Sequence, residues 1–471
     1  MNTFVNNYWA SYLDFIHAFK QLSYLGIPLP LVCPYFLLVH DNDVLLERLE
    51  SQSTVLNTKI KNEKQLQSLF DIHFSPFHNK TVKSRGKVQG KVVFYDNVLR
   101  FPDQLMKENF SPSNALVLKR KTNAYGSSRG EIPVDSLEKY QTIHLNTLKA
   151  YQRKAEKHFD RAAVHPIYKN KAFRETFVKQ IPGMMKQIIA AKKFFEQNAV
   201  SCLVTGTTNS SDTRILTLTA ALKGIPSLCL QHGIVMLEFG YLPKVSTYQA
   251  VYGSSDIQWY QRKGIQPNGL QSIGHPRFDE LVKRSSLNRA ALHSHFKLDN
   301  SKKSVLVVIH HLETEFTKAV LKYLGEQGSV NIIIKQRNGK QRRSAQTIEL
   351  VKEFPHLKFA DDLHLYDLLN NVDAVISYES TIALEAMLAG KPIYLWRLKD
   401  FRSSMTNYYD ELSMYIHDDP HALVDHMFAV MNAPSNKNWE KRKRDFLSTH
   451  YPHKPGTSSA KLKELIDSIK L

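Results

Sequence analysis

The chain has 471 residues, 42% of them hydrophobic, so it is long for a single core and suits two domains of ordinary size. Its 63 lysines and arginines outnumber its 44 aspartates and glutamates, and the formal net charge of +19 predicts an anionic partner: a nucleotide, a phosphorylated acceptor, an anionic membrane face or nucleic acid. The three cysteines, Cys33, Cys202 and Cys229, are widely spaced, which argues against a disulfide framework or a structural zinc site and fits a reducing cytosol.

The first 40 residues combine an aromatic stripe with a proline-rich apolar run. No basic segment precedes the apolar residues and no run approaches the roughly 20 residues that span a bilayer, so we expect neither a signal peptide nor a membrane helix. The proline-rich run, residues 27–39, is expected to be a buried extended segment that leads into a strand. The stripe predicts core packing, with a membrane-surface or partner contact as the alternative; it comprises Trp9, Tyr12, Leu13, Phe15, Ile16 and Phe19.

Strands and helices can be predicted along the rest of the first half. Apolar runs predict strands at 35–40, 91–95 and 115–119, and a charged helix at 136–160. A helix at 173–197, a strand at 201–205, a helix at 213–223 and a strand at 227–231 then form one βαβ unit. Further strands are expected at 248–252 and 270–273, with a helix containing Gln258 and Tyr260 between them.

The same alternation begins again after a polar, basic stretch at 283–303, which we interpret as an interdomain connection. Strands are predicted at 304–309, 331–335, 357–360 and 373–377, with helices at 315–324, 344–353 and 363–369 between them. Repeated βα units predict an α/β fold with a parallel, doubly wound sheet. The expected segments are an α/β domain at 1–282, the connection at 283–303, a second α/β domain at 304–435 and a basic helical tail at 436–471, which either packs across the domains or is a solvated face.

Residues 373–396 contain a strand, a hydroxyl-rich turn, a short helix and a second strand. Ser380 and Thr381 can cap the helix, which Gly390 ends. The helix N-terminus would then lie at the carboxyl end of a parallel strand, where open α/β sheets bind phosphorylated ligands. Glu385, one turn into the helix, could accept hydrogen bonds from a ribose diol. An ordinary capped βαβ unit is the alternative.

Two histidine-containing turns follow predicted strands of the first half. His232, in Gln231-His232-Gly233, could act as a general base or donate a hydrogen bond to phosphate, or be a structurally satisfied histidine. The Gly274-His275-Pro276-Arg277 turn suits phosphate recognition, and would equally serve as an interdomain turn with a salt bridge.

Three further positions carry groups suited to phosphate binding or acid–base chemistry. Lys335 ends a predicted strand beside Arg337, Arg342 and Arg343, so phosphate binding and a basic surface loop are both open. His310 and His311 end the first strand of the second half, where at most one of them can enter a binding cleft. Asp212 is the leading carboxylate for activating an acceptor hydroxyl, although helix capping would also explain it.

Several signatures are missing from the sequence. It has no GxGxxG after a strand, no GxxxxGK[ST], no HExxH and no GxSxG, which argues against dehydrogenases, P-loop proteins, zincins and α/β-hydrolases. Aromatic residues are not interleaved with basic ones as on a nucleic-acid stacking platform, so we expect no nucleic-acid partner.

Taken together, LCLQHG at 228–233, IGHPRFDEL at 273–281, NIIIKQ at 331–336 and ISYESTIALEAMLAGKPIYL at 376–395 resemble a known enzyme family. The chain is similar to the bacterial surface-polysaccharide glycosyltransferases of the GT-B fold, which include capsule, lipopolysaccharide and teichoic-acid enzymes and the CDP-glycerol glycerophosphotransferase-like group. The similarity covers about residues 200–395.

The resemblance implies two Rossmann-like domains with parallel sheets facing each other across a cleft. The first would bind the acceptor and the second the nucleotide-activated donor. Ser380 and Thr381 would meet the donor phosphates, Glu385 the ribose, and His275, Arg277 and Lys335 the phosphates or base-proximal region. No metal or other cofactor is expected, because helix termini and cationic side chains stabilise the leaving group in this fold. Gln231 and the GHPR turn depart from the teichoic-acid type, which favours a nucleotide sugar over a CDP-alcohol.

The resulting hypothesis is a cytoplasmic glycosyltransferase, peripheral at the inner face of the membrane, that transfers a sugar from a nucleotide donor to a hydroxyl of a growing surface glycan or lipid-linked glycan. Asp212 or His232 would be the base of an inverting reaction; in a retaining enzyme both would be binding residues. The alternatives are a polyol-phosphate transferase of teichoic-acid type, an isomerase similar to UDP-N-acetylglucosamine 2-epimerase, and a basic nucleic-acid or membrane adaptor without turnover.

Overall fold

The computed structural model describes residues 2–83, 89–122, 128–162, 165–284, 287–309, 315–336, 348–349, 352–354, 356–360, 362–397, 407–433 and 437–469. The described residues form two compact units. Of the described residues, those up to Arg277 and those from Thr457 onward form the first unit. Those from Phe278 to Gly456 form the second. The limits that the sequence predicted for its four segments, 1–282, 283–303, 304–435 and 436–471, stay predictions.

The first unit is built on an eight-stranded sheet, in which every neighbouring pair is parallel except the last. Its order is β10-β9-β8-β7-β3-β4-β6-β5. The strands are β3 Lys91–Tyr95, β4 Ala115–Lys119, β5 Ser128–Arg129, β6 Ile132–Ser136, β7 Val200–Thr205, β8 Ser227–Leu230, β9 Tyr248–Val251 and β10 Leu270–Ser272, and a separate hairpin pairs β1 Ser23–Tyr24 with β2 Ile27–Pro28.

Apolar clusters lie on both faces of this sheet. Val93 and Tyr95 of β3 belong to one cluster, and Val92 and Phe94 to another that includes Leu462 near the C-terminus. Because successive strand residues point to opposite faces, both faces of β3 are buried, as expected of a doubly wound sheet. The helices of the unit are α1 Thr3–Phe19, α2 Leu29–Val32, α3 Phe36–Val39, α4 Asp43–Glu50, α5 Leu66–Lys83, α6 Asp103–Asn109, α7 Leu145–Arg161, α8 Lys171–Gln197, α9 Ser211–Leu222 and α10 Ser254–Arg262, with α18 Ser458–Ile469 at the end of the chain.

The aromatic stripe of the first helix is core, as predicted. α1 begins at an Asn2 cap, whose side chain accepts a hydrogen bond from the Val5 amide at 2.8 Å. All six residues of the stripe are buried. Trp9 donates its indole hydrogen bond to Glu238 at 2.5 Å, and the carboxylate is also paired with Lys263. The stripe therefore buries the first helix of the chain against the sheet domain.

The prediction for residues 27–40 was wrong. No strand forms at 35–40; β2 is followed by the short helices α2 and α3. Pro30 lies in the first turn of α2, and the Pro34 carbonyl accepts from the Leu37 amide ahead of α3. Pro28 is extended, in β2, but Pro30 fits a first helical turn, where no amide hydrogen is needed, so prolines in this run do not imply extended backbone throughout. The helix predicted at 136–160 begins only at Leu145, after β6 and a 3-10 turn at Leu137–Tyr140.

The second unit has a five-stranded sheet that is parallel throughout, in the order β13-β12-β11-β14-β15. Strands predicted at 304–309, 331–335, 357–360 and 373–377 are confirmed within a residue, whereas most of the helix predicted at 344–353 lies outside the described ranges. The strands are β11 Ser304–Ile309, β12 Asn331–Gln336, β13 Leu357–Phe359, β14 Ala374–Tyr378 and β15 Ile393–Trp396; the helices are α11 Glu280–Lys283, α12 Arg289–Phe296, α13 Glu315–Gln327, α14 Leu365–Asn371, α15 Thr381–Leu388, α16 Pro420–Asn432 and α17 Lys437–His450.

None of the helices in the described ranges has the length and apolar character needed to cross a membrane.

A buried carboxylate ties two loops to α1. Asp14 is 4% exposed and accepts hydrogen bonds from the amides of Asn57 and Thr58, both at 2.8 Å, and lies 3.1 Å from His165 Nε2. Burial raises the pKa of Asp14, but the hydrogen bonds from His165, Thr58 and Asn57 outweigh it and leave the pKa below its ordinary value of 3.8. The ionised form is thus the one that the folded state favours.

We expect Asp14→Ala to lower the free energy of unfolding by about 3–5 kcal/mol, because it leaves buried donors without their acceptor. Since the folded pKa is depressed, the stabilisation is present above pH 3.8 and is lost as the pH falls through the lower folded value. Urea denaturation across this pH range measures both effects. Glu47→Ala, at an exposed position of α4, is the control and should cost less than about 0.5 kcal/mol.

Candidate functional site

The carboxyl ends of five adjacent parallel strands of the first unit lie along one edge of the sheet. In spatial order these strands are β3, β7, β8, β9 and β10. They are followed by Arg100, Gly206, His232, Gly253 and Arg277, respectively. Open α/β sheets bind ligands at this edge. The topology therefore brings together the predicted turns of His232 and Arg277, along with Arg100 from the loop after β3.

A close backbone contact fixes the loop that carries Arg100. A Cβ on Gly206 would lie 2.5 Å from the Val98 carbonyl oxygen, a distance that no side chain tolerates. Val98 and Arg100 have φ of 47° and 51°, in the left-handed region that a β-branched residue seldom occupies. The loop is therefore held by its neighbour in a conformation that its own residues disfavour, and Arg100 is exposed at the edge.

His232 lies among aromatic and cationic groups at this edge. Its ring stacks on that of Tyr241, with centroids 4.9 Å apart and planes 7° from parallel, and its carbonyl accepts from Arg100 Nη1 at 3.1 Å. Burial, followed by the charges of the Arg100 and Arg277 guanidiniums, lowers the pKa of His232 to about 4, although a hydrogen bond to the Gly206 backbone opposes the shift. The imidazole is consequently neutral at physiological pH and can accept a proton.

His275 and Arg277 lie at the same edge, but deeper. His275 is completely buried, and its Nδ1 accepts a hydrogen bond from the Arg277 amide at 3.1 Å. Burial, followed by the charges of Arg277 and Arg100, holds the pKa of His275 well below 6.5. A neutral, buried imidazole bonded to the backbone of the next turn is suited to fixing that turn and thereby Arg277, which is 8% exposed.

A buried carboxyl group lies behind these histidines. Asp256 is 2% exposed in the first turn of α10 and accepts a hydrogen bond from the Gly253 amide. Burial raises the pKa of Asp256 to about 7, and hydrogen bonds from Gln231 and the backbone of Gly253 and Tyr252 restrain the shift. The carboxyl group therefore titrates within the physiological range.

Asp212 belongs to a different set of contacts. It lies in the first turn of α9, 6% exposed, and its carboxylate accepts from the Tyr95 hydroxyl at 2.6 Å, the Ser210 hydroxyl at 2.5 Å and the Thr213 amide at 3.0 Å. Both carboxylate oxygens are thus engaged with residues of the same unit.

The predicted phosphate turn of the second unit has the expected secondary structure but not the expected cap. Ser380 occupies the N-cap position of α15, at the end of β14, yet its side chain makes no cap hydrogen bond. Its hydroxyl oxygen is buried and, among the residues that the structure describes, has no hydrogen-bond partner. The Ser380 carbonyl accepts from the Tyr409 hydroxyl at 2.6 Å. Ser380 therefore does not cap the helix N-terminus, where Thr381 occupies the first position.

Glu385 is held one turn inside this helix. It is 5% exposed, and its Oε1 accepts from the Tyr366 hydroxyl of α14 at 2.8 Å. His364 caps α14, its Nδ1 accepting from the Tyr366 amide at 3.3 Å, and burial lowers the pKa of His364. The Glu385 carboxylate is thus oriented from a neighbouring helix.

Lys335 uses its ammonium group to close a turn. Its Nζ donates to the Ala360 carbonyl at 2.8 Å and to the Leu363 carbonyl at 2.6 Å. The arginines expected beside Lys335 lie outside the described residues; they are Arg337, Arg342 and Arg343. His310 and His311 also lie outside them.

Apart from Asp212, which has its own set of contacts in the first unit, the predicted site residues fall into two groups. His232, His275 and Arg277 are gathered in the first unit, and Lys335, Ser380, Thr381 and Glu385 in the second. Sequence reasoning missed Arg100, Tyr241 and Tyr366. The position of Arg100, just past the strand at 91–95, was the available signal, whereas the two tyrosines are brought in by tertiary packing. Over the described ranges, no group of three histidine, cysteine, aspartate or glutamate side chains could hold a metal ion.

Comparison with known proteins identifies the fold. No protein-family model and no curated protein sequence matches the chain. Solved structures do match: UDP-GlcNAc 2-epimerase from Neisseria meningitidis bound to UDP-GlcNAc has a TM-score of 0.52 and 11% identity over 80% of this chain and 99% of its own. S. aureus MnaA in a co-structure with UDP has a TM-score of 0.50 and 12% identity over 81% and 96%. The predicted α/β fold of GT-B type, with two Rossmann-like domains, is therefore confirmed.

Gly206→Ala should destabilise the first unit by about 1–3 kcal/mol, because the added Cβ would overlap the Val98 carbonyl and shift the Arg100 loop. Gly240→Ala is the matched control, since nothing lies within 4 Å of a Cβ at that position. Thermal and urea unfolding of both variants measures the difference. Equal stability of the two variants would contradict the close approach.

Arg100→Gln should raise the pKa of His232 from about 4 toward 6.5, because it removes one of two nearby positive charges. The sign for stability follows: the unfolded chain binds this proton at higher pH than the folded one, so the free energy of unfolding falls as the pH drops from about 6.5 to about 4. NMR titration of ¹⁵N-labelled histidine checks the shift. Arg153→Gln, at an exposed position of α7, should leave the His232 titration unchanged.

Proposed function

We propose that the chain is a glycosyltransferase that transfers a sugar from a nucleotide-activated donor to a hydroxyl group of a growing cell-surface polysaccharide of the capsule or lipopolysaccharide type. The observation that carries the proposal is the N-terminus of α15, which the Ser380 side chain leaves uncapped and which has the oriented Glu385 carboxylate one turn inside it. The fold supports the proposal, because two solved structures of the same fold hold UDP-GlcNAc and UDP.

The second unit binds the donor in this proposal. First-turn amides and the positive end of the α15 dipole hold the phosphates, with Thr381 beside them. Glu385, oriented by Tyr366, accepts the ribose hydroxyls. Lys335 contributes positive charge and keeps the turn at Ala360–Leu363 in place through its two carbonyl contacts. UDP is the nucleotide to test first, because the two structures with the same fold hold UDP-GlcNAc and UDP.

His232 is the general base of the proposed reaction. The acceptor hydroxyl gives its proton to the neutral imidazole while its oxygen forms a bond to the anomeric carbon; the bond from that carbon to the phosphate oxygen breaks, and its electron pair leaves with the nucleotide. Support for His232 over Asp212 comes from their contacts, since the Asp212 oxygens already accept three short hydrogen bonds. His275 fixes the Arg277 turn. No metal ion is required, because helix N-terminus and cations stabilise the departing charge.

An isomerase is the competing function, because the solved structures with this fold include 2-epimerases. An epimerase needs only the nucleotide sugar, whereas the transferase consumes an acceptor hydroxyl. A polyol-phosphate transferase would use the same acceptor chemistry with a different donor. Acceptor dependence and donor choice therefore separate the three.

Thr381→Ala and Glu385→Gln should each weaken UDP binding about tenfold, which corresponds to one lost hydrogen bond to a charged group. Ser380→Ala should leave the free energy of unfolding within about 0.5 kcal/mol, although the loss of a true cap costs about 1 kcal/mol. Calorimetric titration with UDP and urea unfolding measure these effects. Glu464→Gln, exposed on α18, is the control for the charge change. Unchanged affinity in both Thr381→Ala and Glu385→Gln would reject the donor site.

A panel of nucleotide sugars, with and without a glycan acceptor, tests the reaction itself. Nucleotide release that requires the acceptor supports the transferase, and a new sugar epimer formed without acceptor supports the isomerase. His232→Asn should reduce acceptor-dependent turnover by at least about a hundredfold while leaving UDP affinity unchanged, because the side chain acts on the acceptor. Full turnover in His232→Asn would exclude it as the base.

A further inference from the structure

We propose that Arg100 and Arg277, at the carboxyl edge of the first sheet, bind a phosphoryl group of the acceptor, next to the hydroxyl that His232 deprotonates. This inference rests on the proposed transferase function and names the chemical class of its acceptor: a glycan or lipid-linked glycan that carries a phosphate near the attacking hydroxyl.

The strand order places the loops that carry the two arginines on either side of the loop that carries the histidine. Arg100 follows β3, His232 follows β8 and Arg277 follows β10, and all three strands run parallel in one sheet. Arg100 Nη1 lies 3.1 Å from the His232 carbonyl oxygen. The pKa shifts of His232 and of His275 both include contributions from each arginine, which places the two positive charges close to both rings.

Both arginines are held in place by the structure around them. Arg277 is largely buried, and the His275 ring accepts from its amide, so the turn at 274–277 has little freedom. Arg100 is held on a loop with φ of 47° and 51° at two of three successive residues, against the bare backbone of Gly206. Backbone strain of this kind persists where the surrounding structure imposes it, and here it presents a guanidinium at a ligand-binding edge.

Two guanidiniums beside a neutral imidazole select an anion with several oxygen atoms. Arginine offers paired N–H donors that match phosphate oxygens, and it remains charged when partly buried. In the proposed function the donor phosphates already have a site in the second unit, at the N-terminus of α15. A second phosphate-binding site at the base therefore fits the acceptor.

The charges around His232 are also suited to a phosphate ligand. Burial and the two positive charges lower the pKa of His232 and so make it a weak base. A bound phosphate would offset the two positive charges and raise the pKa of His232 toward the working pH, where general-base catalysis is most efficient. The groups that contribute to this balance are Arg100, Arg277, His275 and the backbone of Gly206.

The experiment is an NMR titration of the full-length, ¹⁵N-histidine-labelled protein with inorganic phosphate and with glycerol phosphate. We expect the His232 ring signals to shift saturably and Arg100→Gln to weaken this binding about tenfold or more, whereas Arg153→Gln leaves it unchanged. Arg277→Lys, which keeps the charge but not the paired donors, should weaken binding less than Arg100→Gln does. No saturable shift of His232, or equal affinity in Arg100→Gln and wild type, would overturn the proposal.

A parallel UDP titration distinguishes the two sources of the phosphate. If the group belongs to the acceptor, Arg100→Gln binds UDP as the wild type does. If Arg100→Gln loses UDP affinity to the same extent as it loses phosphate affinity, the site binds the donor phosphates, and its assignment to the acceptor is wrong. These binding measurements need no turnover, so they can fail while acceptor-dependent nucleotide release succeeds, and the reverse also holds.

Discussion

The close passage of Gly206 against the Val98 carbonyl is the contact on which the candidate site of the first unit depends. Adjacent parallel strands bring their carboxyl ends to one edge in any α/β sheet, but side chains meet there only if the intervening backbones can approach. The missing Cβ of Gly206 permits that approach between the loops after β3 and β7. Because the two loops lie so close, Arg100 can donate to the His232 carbonyl, and the Gly206 backbone can form a hydrogen bond with the His232 ring.

The two units treat charge differently. In the first, two guanidiniums surround imidazoles that burial keeps neutral, so the edge has an excess of positive charge next to an uncharged base. In the second, the described groups near α15 are a buried carboxylate, a hydroxyl without a partner among the described residues, and a lysine whose ammonium bonds two carbonyls. In the proposed function, the attraction for an anion there would come mainly from the helix N-terminus, which carries partial positive charge in its backbone.

The sequence was most informative where local pattern and tertiary structure agree. Buried parallel strands such as Lys91–Tyr95 and Ser304–Ile309 are continuous apolar runs, so their limits could be predicted to the residue. The prolines at 28–34 misled, because proline fits a helix start as well as an extended segment. The fold and the placement of His232 and Glu385 near strand ends could be foreseen. The roles of Arg100, Tyr241 and Tyr366 could not, because they arise from side-chain contacts that no local pattern in the sequence encodes.

The last helix of the chain completes the core of the first unit. Leu462 and Ile466 of α18 are fully buried in the same apolar cluster as Val92 and Phe94 of β3. The first unit is therefore discontinuous in sequence, with the whole second unit inserted before its final element. During synthesis on the ribosome, part of one apolar face of the sheet stays uncovered until α18 has emerged. The core of the first unit is therefore completed only after the second unit has been made.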